Sequence, residues 1–509
     1  MATAESTVQD PAGAAPLEKG LRANALGFVS SVVIGVASTA PAYSLAATLG
    51  FVTIVAGIGL HAPIVMVLAF VPMLFVAMGF KYLNQADPDC GTTFTWCARA
   101  FGPITGWLGG WGLVFADVLV MASLSQIAGS YTFLLFGADS AAASTLWVGI
   151  AGVIWILLMG FICYVGIEAS ARTQYFLLTA EILILAIFSI VALTKVWTSH
   201  PSGAIHPTLQ WLNPFGISSF GAMSSALLAG IFIYWGWDTA VSVNEETEDA
   251  TETPGRAAVV STFLLLGIYV LVTFAAQAFH GVGFLNAHQD DVLSALGKDV
   301  LGSPWDKLLI IAVLTSASAS TQTTILPTTR ATLAMASHGA FPKSFARIHP
   351  RYLTPSDSTV WMCGVSIVVF LLLNSFSSNI LGDSVTATGF GIAFYYGLTG
   401  LACTWFFRYE LFKSWRNFLY VGLLPLVGGL MLFAILGDSL YENWSPSASY
   451  TGTSWFGLSV PVALALISMV IGIVIMIGQR IAMPEPFFRW KREVADPSIL
   501  QPVGESARG

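Results

Sequence analysis

The sequence predicts an all-α integral membrane protein with about twelve transmembrane helices, and its composition is the first reason. Hydrophobic residues make up 55% of the 509 positions and charged residues only 10%, whereas soluble domains are about 25% charged. Apolar runs recur along the whole chain. The charges form no basic stripe, so no nucleic-acid partner is expected. The five cysteines have neither the spacing of a disulfide framework nor that of a zinc site, so no metal or other cofactor is expected.

The boundaries of the helices follow from the length that a bilayer requires. A helix needs about 20 apolar residues to cross the hydrocarbon core. Residues 1–24 are polar and Ala-rich and lack the apolar core of a signal peptide, so we expect the first span to stay in the membrane. The predicted spans are 26–49, 54–79, 103–136, 145–167, 174–197, 219–243, 257–283, 307–336, 358–376, 385–407, 418–437 and 456–478.

The loops predict the orientation of these spans. Eighteen of the 21 Lys and Arg residues fall on the side of the N-terminus if the spans alternate in direction. Only Lys195, Lys298 and Lys307 fall on the other side. Positive residues concentrate in cytoplasmic loops. We therefore expect a multi-pass protein of the plasma membrane with both termini in the cytoplasm, as in a bacterial inner membrane.

Two of the spans are interrupted at corresponding positions, five helices apart. The first span contains Gly35 and then Pro41, and the sixth runs from Gly230 to Gly236 through an aromatic cluster. Paired interruptions predict two inverted repeats of five helices, each starting with a broken helix. Gly and Pro are also common in ordinary membrane helices, and that alternative explains either interruption taken alone.

Three stretches resemble the amino acid–polyamine–organocation (APC) transporter superfamily. They are CGTTFTWCARAFGPITGWLGGW (90–111), FIYWGWDTAVSVNEETEDATETPGRA (232–257) and TTRATLAMASHGAFPKSFARIHPRYLTP (328–355). The resemblance implies a five-plus-five inverted-repeat core with broken helices 1 and 6, two further helices, and secondary active transport of amino acids or related amines. The implied regions are a cytoplasmic tail (1–24), a first repeat (25–197), an extracellular loop (198–218), a second repeat (219–408), two further helices (409–480) and a cytoplasmic tail (481–509).

The interruptions are also the candidate substrate site. An amino acid carries a carboxylate and an ammonium group, and both need partners in a dry cavity. Unwound main chain supplies free N–H groups at one half-helix and free carbonyls at another. The alternative is that the hydroxyls of the first break only bond back to their own helix. The resemblance implies that the substrate carboxylate faces Ser38, Thr39 and Ala40. It also implies that the substrate amine binds the carbonyls of Phe232, Ile233 and Tyr234. The first break reads Ser38-Thr39-Ala40-Pro41, which departs from the Gly-Ser/Thr-Gly sequence common in the superfamily.

Three acids lie inside spans without a nearby Lys or Arg: Asp117, Glu181 and Asp238. Such residues are costly in a membrane and usually functional. Glu181 and Asp238 are the candidates for reversible proton binding, and Asp117 is the candidate partner for a second ammonium group of a basic substrate. Several proton-coupled relatives have a lysine where Glu181 stands, so their lysine mechanism cannot be carried over. The alternative is that each acid stays protonated and hydrogen-bonded to a neighbouring helix.

Gating and ion coupling have their own candidates. By resemblance, Phe232 is an aromatic gate over the substrate, and Trp235 is a second gating candidate. Arg330, paired with Glu245 or Glu246, is either an inward gate or a surface ion pair of small worth. The hydroxyl-rich stretch 315–324 is suitable for sodium, but small residues there also allow close helix packing, which we favour.

The leading hypothesis is a permease that moves an amino acid across the plasma membrane by alternating access, coupled to protons. A polyamine or organocation carrier and an amino acid exchanger are alternatives within the superfamily, and sodium coupling or an ion channel on the same scaffold ranks below them. The expected partners are an amino acid or amine, the proton and the lipid bilayer. No nucleophile–base constellation, HExxH motif or P-loop is present, so enzyme activity is not expected.

Overall fold

The computed structural model describes residues 19–289, 291–376, 380–482, 486–490 and 492–493, and it confirms the all-α prediction. The only sheet among these residues is a two-stranded antiparallel ladder of β1 (Ser454–Trp455) and β2 (Leu458–Ser459). The helices are α1 Phe28–Ser38, α2 Pro41–Ile54, α3 Ala62–Ala86, α4 Thr93–Phe101, α5 Pro103–Leu135, α6 Asp139–Ala142, α7 Thr145–Val165, α8 Ile167–Thr198, α9 Phe220–Tyr234, α10 Thr239–Ser242, α11 Thr253–Ala287, α12 Val292–Leu301, α13 Lys307–Ser337, α14 Ser356–Phe376, α15 Ile380–Phe406, α16 Trp415–Asn417, α17 Leu424–Glu442 and α18 Val460–Ala482.

These helices correspond in position to the twelve predicted crossings. Ten stretches in the described part of the chain are long and apolar enough to span a membrane, and the broken pair α1–α2 counts as one of them. The second broken pair, α9–α10, and the long helix α15 complete the set. A π-helical turn, Phe418–Leu423, joins α16 to α17 within one crossing. Both broken helices therefore stand first in a group of five, as the inverted-repeat prediction requires.

Three helices were not predicted, because hydropathy does not detect short or amphipathic elements. They are α4, α6 and α12, and α4 contains Thr and Arg residues although most of its side chains are buried. The predicted start of the fifth span at residue 174 was also too late. Helix α8 begins at Ile167, where Glu168 and Arg172 lower the hydropathy of the first turns without preventing helix formation.

The outer surface of the bundle is apolar, as a protein solvated by lipid requires. Ile154, Phe161, Leu183, Val368 and Val474 are each more than half exposed. They lie on α7, α8, α14 and α18, the helices at the periphery. Contiguous apolar surface of this kind would be unfavourable in water. Helix α13, by contrast, is buried along nearly its whole length, and it crosses α5 in the centre of the bundle.

The two breaks meet in that centre. Ala40 is left-handed (φ 48°), and Gly236 has φ 119°. Pro41 starts α2, and its missing N–H is one that the first turn of a helix leaves free in any case. A Cβ atom on Gly236 would lie 2.7 Å from the carbonyl carbon of Ser38. The hydroxyls of Ser38 and Thr239 are 2.8 Å apart, so the broken helices touch through main chain and short side chains.

The contact between the breaks predicts that adding one methyl group at Gly236 destabilises the protein. Gly236→Ala should lower the free energy of unfolding by roughly 2–4 kcal/mol, since it adds both backbone strain and a clash with Ser38. Gly267→Ala is the matched control, because a Cβ on Gly267 of α11 meets nothing within 4 Å. Thermal unfolding in detergent compares the two variants. Equal unfolding midpoints would contradict the close approach of the broken helices.

Candidate functional site

The main chain of the first break is hydrogen-bonded within the protein. The N–H groups of Thr39 and Ala40 donate to the carbonyls of Val36 (3.2 Å) and Ala37 (3.1 Å) in their own helix. The Ser38 hydroxyl contacts Thr239 across the break. The three residues predicted to face a substrate carboxylate therefore lie at the break, but their main-chain and hydroxyl groups are already engaged in this conformation.

Glu181 binds the start of α2. Its Oε1 atom accepts hydrogen bonds from the Ala42 N–H (2.7 Å) and from the Ser316 hydroxyl (2.8 Å). The same Ser316 oxygen accepts from the Tyr43 N–H at 3.1 Å. Glu181 is fully buried, and its Oε2 atom has no hydrogen-bond partner among the residues that the structure describes. The carboxyl group thus joins α8, α2 and α13 at a half-helix N-terminus, where a negative charge is favourable.

The hydroxyl-rich stretch of α13 is divided between two roles. Ser316 contacts Glu181, and the Ser320 hydroxyl donates to the Ser38 carbonyl at 2.9 Å, so both face the first broken helix. Other hydroxyls of the stretch bond back to carbonyls of their own helix: Thr315, Ser318, Thr321 and Thr323. This local bonding is what close helix packing predicts.

The carbonyls of the second break are partly engaged as well. The Phe232 carbonyl accepts from the Trp235 N–H at 3.2 Å, and the Ile233 carbonyl accepts from the Tyr269 hydroxyl at 2.6 Å. The Tyr234 ring is fully buried and packs edge-on against Tyr269 with centroids 4.9 Å apart. The predicted amine-binding residues therefore line the break, and Tyr269 holds one of their carbonyls.

Asp238 accepts hydrogen bonds from two tyrosine hydroxyls, which were not predicted from the sequence. Tyr396 donates to its Oδ1 atom at 2.7 Å, and Tyr395 donates to Oδ2 at 3.0 Å. The Trp235 indole N–H in turn donates to the Tyr395 hydroxyl. Both tyrosines lie in the apolar span α15, where an aromatic residue ordinarily signals packing only. Asp238 is thus buried without a cation but with a donor on each oxygen.

Asp117 lies on α5 and faces α13. Its Oδ2 atom accepts from the Thr328 hydroxyl at 2.5 Å, and both residues are buried. Each of these two acids is thus held by hydroxyl donors of another helix, Asp117 by α13 and Asp238 by α15, whereas Glu181 binds α2 beside the first break. No Lys, Arg or His forms an ion pair with any of the three acids in the described parts of the chain.

Aromatic rings fill the space between the breaks. Phe232 lies 6.5 Å from the Tyr43 ring and 6.5 Å from the Trp235 ring, measured between centroids. Trp237 instead packs against Phe80 at 5.1 Å and is fully buried. Phe232 and Trp235 therefore stand where a gate between the broken helices would act, whereas Trp237 is a core residue. The gating roles themselves stay predictions.

A buried ion pair links α13 to the loop after α10. The Arg330 guanidinium donates from Nε and Nη2 to the two carboxylate oxygens of Glu246, each at 2.9 Å, and both side chains are at most 1% exposed. Glu245, the alternative gate partner, binds Lys19 instead at 2.5 Å. The two glutamates are consecutive in a 3₁₀ turn, Asn244–Glu246, so their side chains point in different directions. Of the two partners predicted for Arg330, Glu246 forms the ion pair and Glu245 does not. The gating role itself stays a prediction.

Lys19 completes this group, which we call the latch: Lys19, Asp89, Glu245, Glu246 and Arg330. The Lys19 ammonium lies 2.8 Å from Asp89 and is almost fully buried. Burial alone would raise the pKa of Asp89, but the charge of Lys19 and the hydrogen bond with His338 hold it well below its usual value. This contact was not predicted, because Lys19 lies in a polar tail far from both partners in the sequence.

A comparison with known proteins assigns the chain to a family. The family model described as "Amino acid permease" matches residues 24–477. The chain belongs to the amino acid permease family. It is 24% identical to the branched-chain amino acid permease BcaP of Bacillus subtilis over 71% of this chain and 77% of that permease. It is 21% identical to the serine/threonine exchanger SteT of the same organism over 56% of this chain and 63% of the exchanger.

A human relative extends the comparison. The chain is 23% identical to the Asc-type amino acid transporter 1 of Homo sapiens over 58% of this chain and 56% of that transporter. Together, these matches confirm the resemblance to the APC superfamily that the three sequence stretches predicted. This permease is therefore a multi-pass membrane protein and an amino acid transporter, and permeases are not enzymes.

The buried pair of the latch predicts a large loss of stability when it is broken. Glu246→Gln leaves the Arg330 charge buried without a counter-charge, and we expect the free energy of unfolding to fall by about 3–5 kcal/mol. Glu168→Gln breaks the exposed pair with Arg22 and should cost less than about 1 kcal/mol. Thermal unfolding of the two variants in detergent measures the difference. A Glu246→Gln protein as stable as Glu168→Gln would show that the pair does not hold this end closed.

The Lys19 contact predicts the accessibility of a thiol. Cys90 is fully buried beside the latch, and its N–H donates to Glu245 at 2.9 Å. Lys19→Gln should raise the rate at which a membrane-permeant maleimide labels Cys90 by about tenfold, if charged hydrogen bonds hold the closed state by about 1.4 kcal/mol. The control is Lys413→Gln, since Lys413 is exposed and pairs only with Glu410 among the described residues. Mass spectrometry reports labelling at each cysteine, and an unchanged Cys90 rate would contradict the latch.

Proposed function

We propose that this permease couples amino acid transport to protons at Glu181, by alternating access across the plasma membrane with both termini in the cytoplasm. The observation that carries the proposal is the position of one carboxyl group. Glu181 is fully buried, binds the first turn of α2 and Ser316 through one oxygen, and has no partner for the other. A buried carboxyl without a cation is a suitable site for reversible proton binding.

Proton binding at Glu181 would change how firmly α2 is held. The ionised carboxylate is attracted by the N–H groups and the dipole at the start of α2, and the neutral acid is attracted much less. A ligand shifts a conformational equilibrium by its difference in affinity for the two states. The proton is such a ligand here. Glu181 lies on α8, and the amide that it binds lies on α2 beside the break, so movement of α2 away from α8 would change the affinity of Glu181 for a proton.

The substrate would bind where the two breaks meet. In this proposal its carboxylate faces Ser38, Thr39 and Ala40, and its ammonium group faces the carbonyls of Phe232, Ile233 and Tyr234. Several of these groups are hydrogen-bonded within the protein in the present conformation, so binding would require small movements of the broken helices. Phe232 and Trp235 would close over the substrate, because their rings lie between the breaks.

The latch would act as the inner gate. Arg330 and Glu246 join α13 to the loop after α10, which continues the second broken helix. Lys19 joins the N-terminal segment to Asp89 before α4 and to Glu245 in the same loop. Release of the substrate at this end would therefore require these pairs to separate, so their strength sets how often the gate opens.

A carrier of cationic amines is the second candidate, because two buried acids, Asp117 and Asp238, are held by neutral hydroxyl donors and by no cation among the described residues. Such carboxyl groups suit a substrate with a second ammonium group. Sodium coupling ranks below it, because helix packing accounts for the local hydrogen bonds of the α13 hydroxyls. Asp238 stays the second candidate for proton coupling.

Glu181→Gln tests the proposal. In sodium-free proteoliposomes, an inside-alkaline gradient of one pH unit supports about tenfold accumulation if one proton moves with each substrate. We expect the native protein to accumulate a member of a labelled panel of amino acids and polyamines. We expect Glu181→Gln to exchange the same compound across the membrane without accumulating it, because glutamine keeps the shape but cannot take up the proton.

The control for this experiment is Glu168→Gln on the same helix, where the acid is exposed and pairs with Arg22. It should accumulate substrate like the native protein. Undiminished pH-driven accumulation by Glu181→Gln would remove Glu181 from the coupling scheme and leave Asp238 as the remaining candidate. Accumulation that requires sodium in the native protein would contradict proton coupling itself, and a polyamine as the accumulated compound would favour the second candidate.

A further inference from the structure

A cavity lies at the end of the bundle opposite the latch. It has a volume of ≈ 270 Å³ and is lined by the end of α2, the middle of α9, the first turns of α15, the end of α17 and the loop before α18. A water molecule occupies about 30 Å³ in the liquid, so the space accommodates a molecule of roughly amino acid size. We call it the Glu442 pocket, and the lining residues used below are Phe51, Ser225, Thr386, Glu442, Asn443 and Tyr450.

The charge of the pocket comes from one side chain. Glu442, the last residue of α17, is the only charged residue among the lining residues that the structure describes. Its carboxylate forms no hydrogen bond or ion pair within the described parts of the chain. It lies beside Gly221 of α9, where a Cβ atom would be 3.3 Å from Oε1, so no side chain covers it from that direction. Glu442 is exposed to solvent, so it places its carboxylate at the solvent-facing side of the pocket.

The other walls favour an organic cation over an inorganic one. Phe51 and Tyr450 meet edge to face with centroids 5.0 Å apart, and aromatic rings attract ammonium groups. Thr386, Asn443 and Ser225 add neutral polar groups. A lone carboxylate with aromatic and neutral walls does not supply the several hard oxygen ligands that Mg²⁺ or Ca²⁺ requires. An anion would be repelled by Glu442 and would find no cation in the lining.

The aromatic wall is held in a fixed position. Asp383 of α15 is fully buried and accepts the N–H of Tyr450 at 2.9 Å. It also accepts the N–H of Thr451 at 3.2 Å and the Thr451 hydroxyl at 2.7 Å. Gly382 leaves room for the Tyr450 ring, since a Cβ there would lie 2.7 Å from Cγ of the ring. The loop that carries Tyr450 is thus tied to α15, and the pocket is a built feature rather than a gap between mobile side chains.

We propose that the Glu442 pocket is a second binding site for a protonated primary amine, separate from the helix breaks. Phe51 lies ten residues after Pro41 on α2, which corresponds to roughly 15 Å of helix. On α9 the lining runs from Ser225 to Ala229, which lies five residues, roughly 8 Å, before the end of that half-helix at Tyr234. If the amine is the ammonium group of the transported amino acid, the pocket is where the substrate first binds, and that use rests on the proposed function. If it is another amine, the pocket is an independent ligand site.

The test uses labelled butylamine as the probe and the purified full-length protein in detergent at neutral pH. We expect saturable binding that unlabelled butylammonium displaces and butan-1-ol does not. Glu442→Gln should weaken binding about three- to tenfold, the range for losing one carboxylate contact beside an aromatic wall. Phe51→Leu should weaken it by a smaller factor. The matched control is Asp139→Asn, which removes an exposed acid at the same end of the bundle outside the pocket.

Uptake assays on the same variants identify the source of the amine. A raised KM with unchanged kcat for amino acid uptake by Glu442→Gln would support the transported substrate as the ligand. Weakened butylamine binding with unchanged uptake would support another amine. Butylamine binding that is equal in the native protein, Glu442→Gln and Asp139→Asn would overturn the proposal. This binding test does not depend on proton coupling, so a failure of the proposed function leaves its result interpretable.

Discussion

The breaks in two helices leave main-chain N–H and carbonyl groups that need hydrogen-bond partners in the protein interior. The rest of the structure depends on which side chains form these hydrogen bonds. An unpaired N–H or carbonyl costs several kcal/mol in such a place, by order of magnitude. Side chains from other helices meet part of this need: Glu181 and Ser316 bind the start of α2, and Tyr269 binds the Ile233 carbonyl. Each of these contacts joins a broken helix to an unbroken one. Movement of a broken helix therefore requires a replacement partner for the main-chain group, which a polar substrate can provide. A proton acts differently, because it neutralises Glu181 and weakens its bond to the Ala42 N–H.

The charged groups at the two ends of the bundle differ in whether they are paired. At the latch, positive and negative groups are buried together, so the closed arrangement is stable but separation of any pair is costly. At the opposite end, Glu442 lines a pocket and has no ion-pair partner among the residues that the structure describes. In the centre, the hydrogen bonds that the described residues make to Asp117, Glu181 and Asp238 come from neutral donors. The carboxyl groups without a cation therefore lie in the centre and at the pocket, and the latch pairs its acids with cations.

Sequence reasoning predicted the features that depend on composition and depth. Long apolar runs identified the crossings, and Gly and Pro identified both breaks, because each residue type acts locally. It did not predict contacts between distant segments: Lys19 with Asp89, or Tyr395 and Tyr396 with Asp238. It left the partner of Arg330 undecided between Glu245 and Glu246, since the direction of a side chain in a 3₁₀ turn follows from packing rather than from the residue type. The sequence identified Glu181 as a candidate because it lies inside an apolar span. Its hydrogen bond to the Ala42 N–H could be seen only in the structure.

Simultaneous measurement of the proton flux and the amino acid flux tests whether the two move together. Native protein is reconstituted in sodium-free liposomes that contain a pH-sensitive dye, and a labelled amino acid that it transports is added outside. We expect the interior to acidify as the label enters, at a constant ratio of protons to substrate over a range of substrate concentrations. Entry of the label without acidification would contradict proton coupling, and the carboxyl group at the start of α2 would then be a structural contact only.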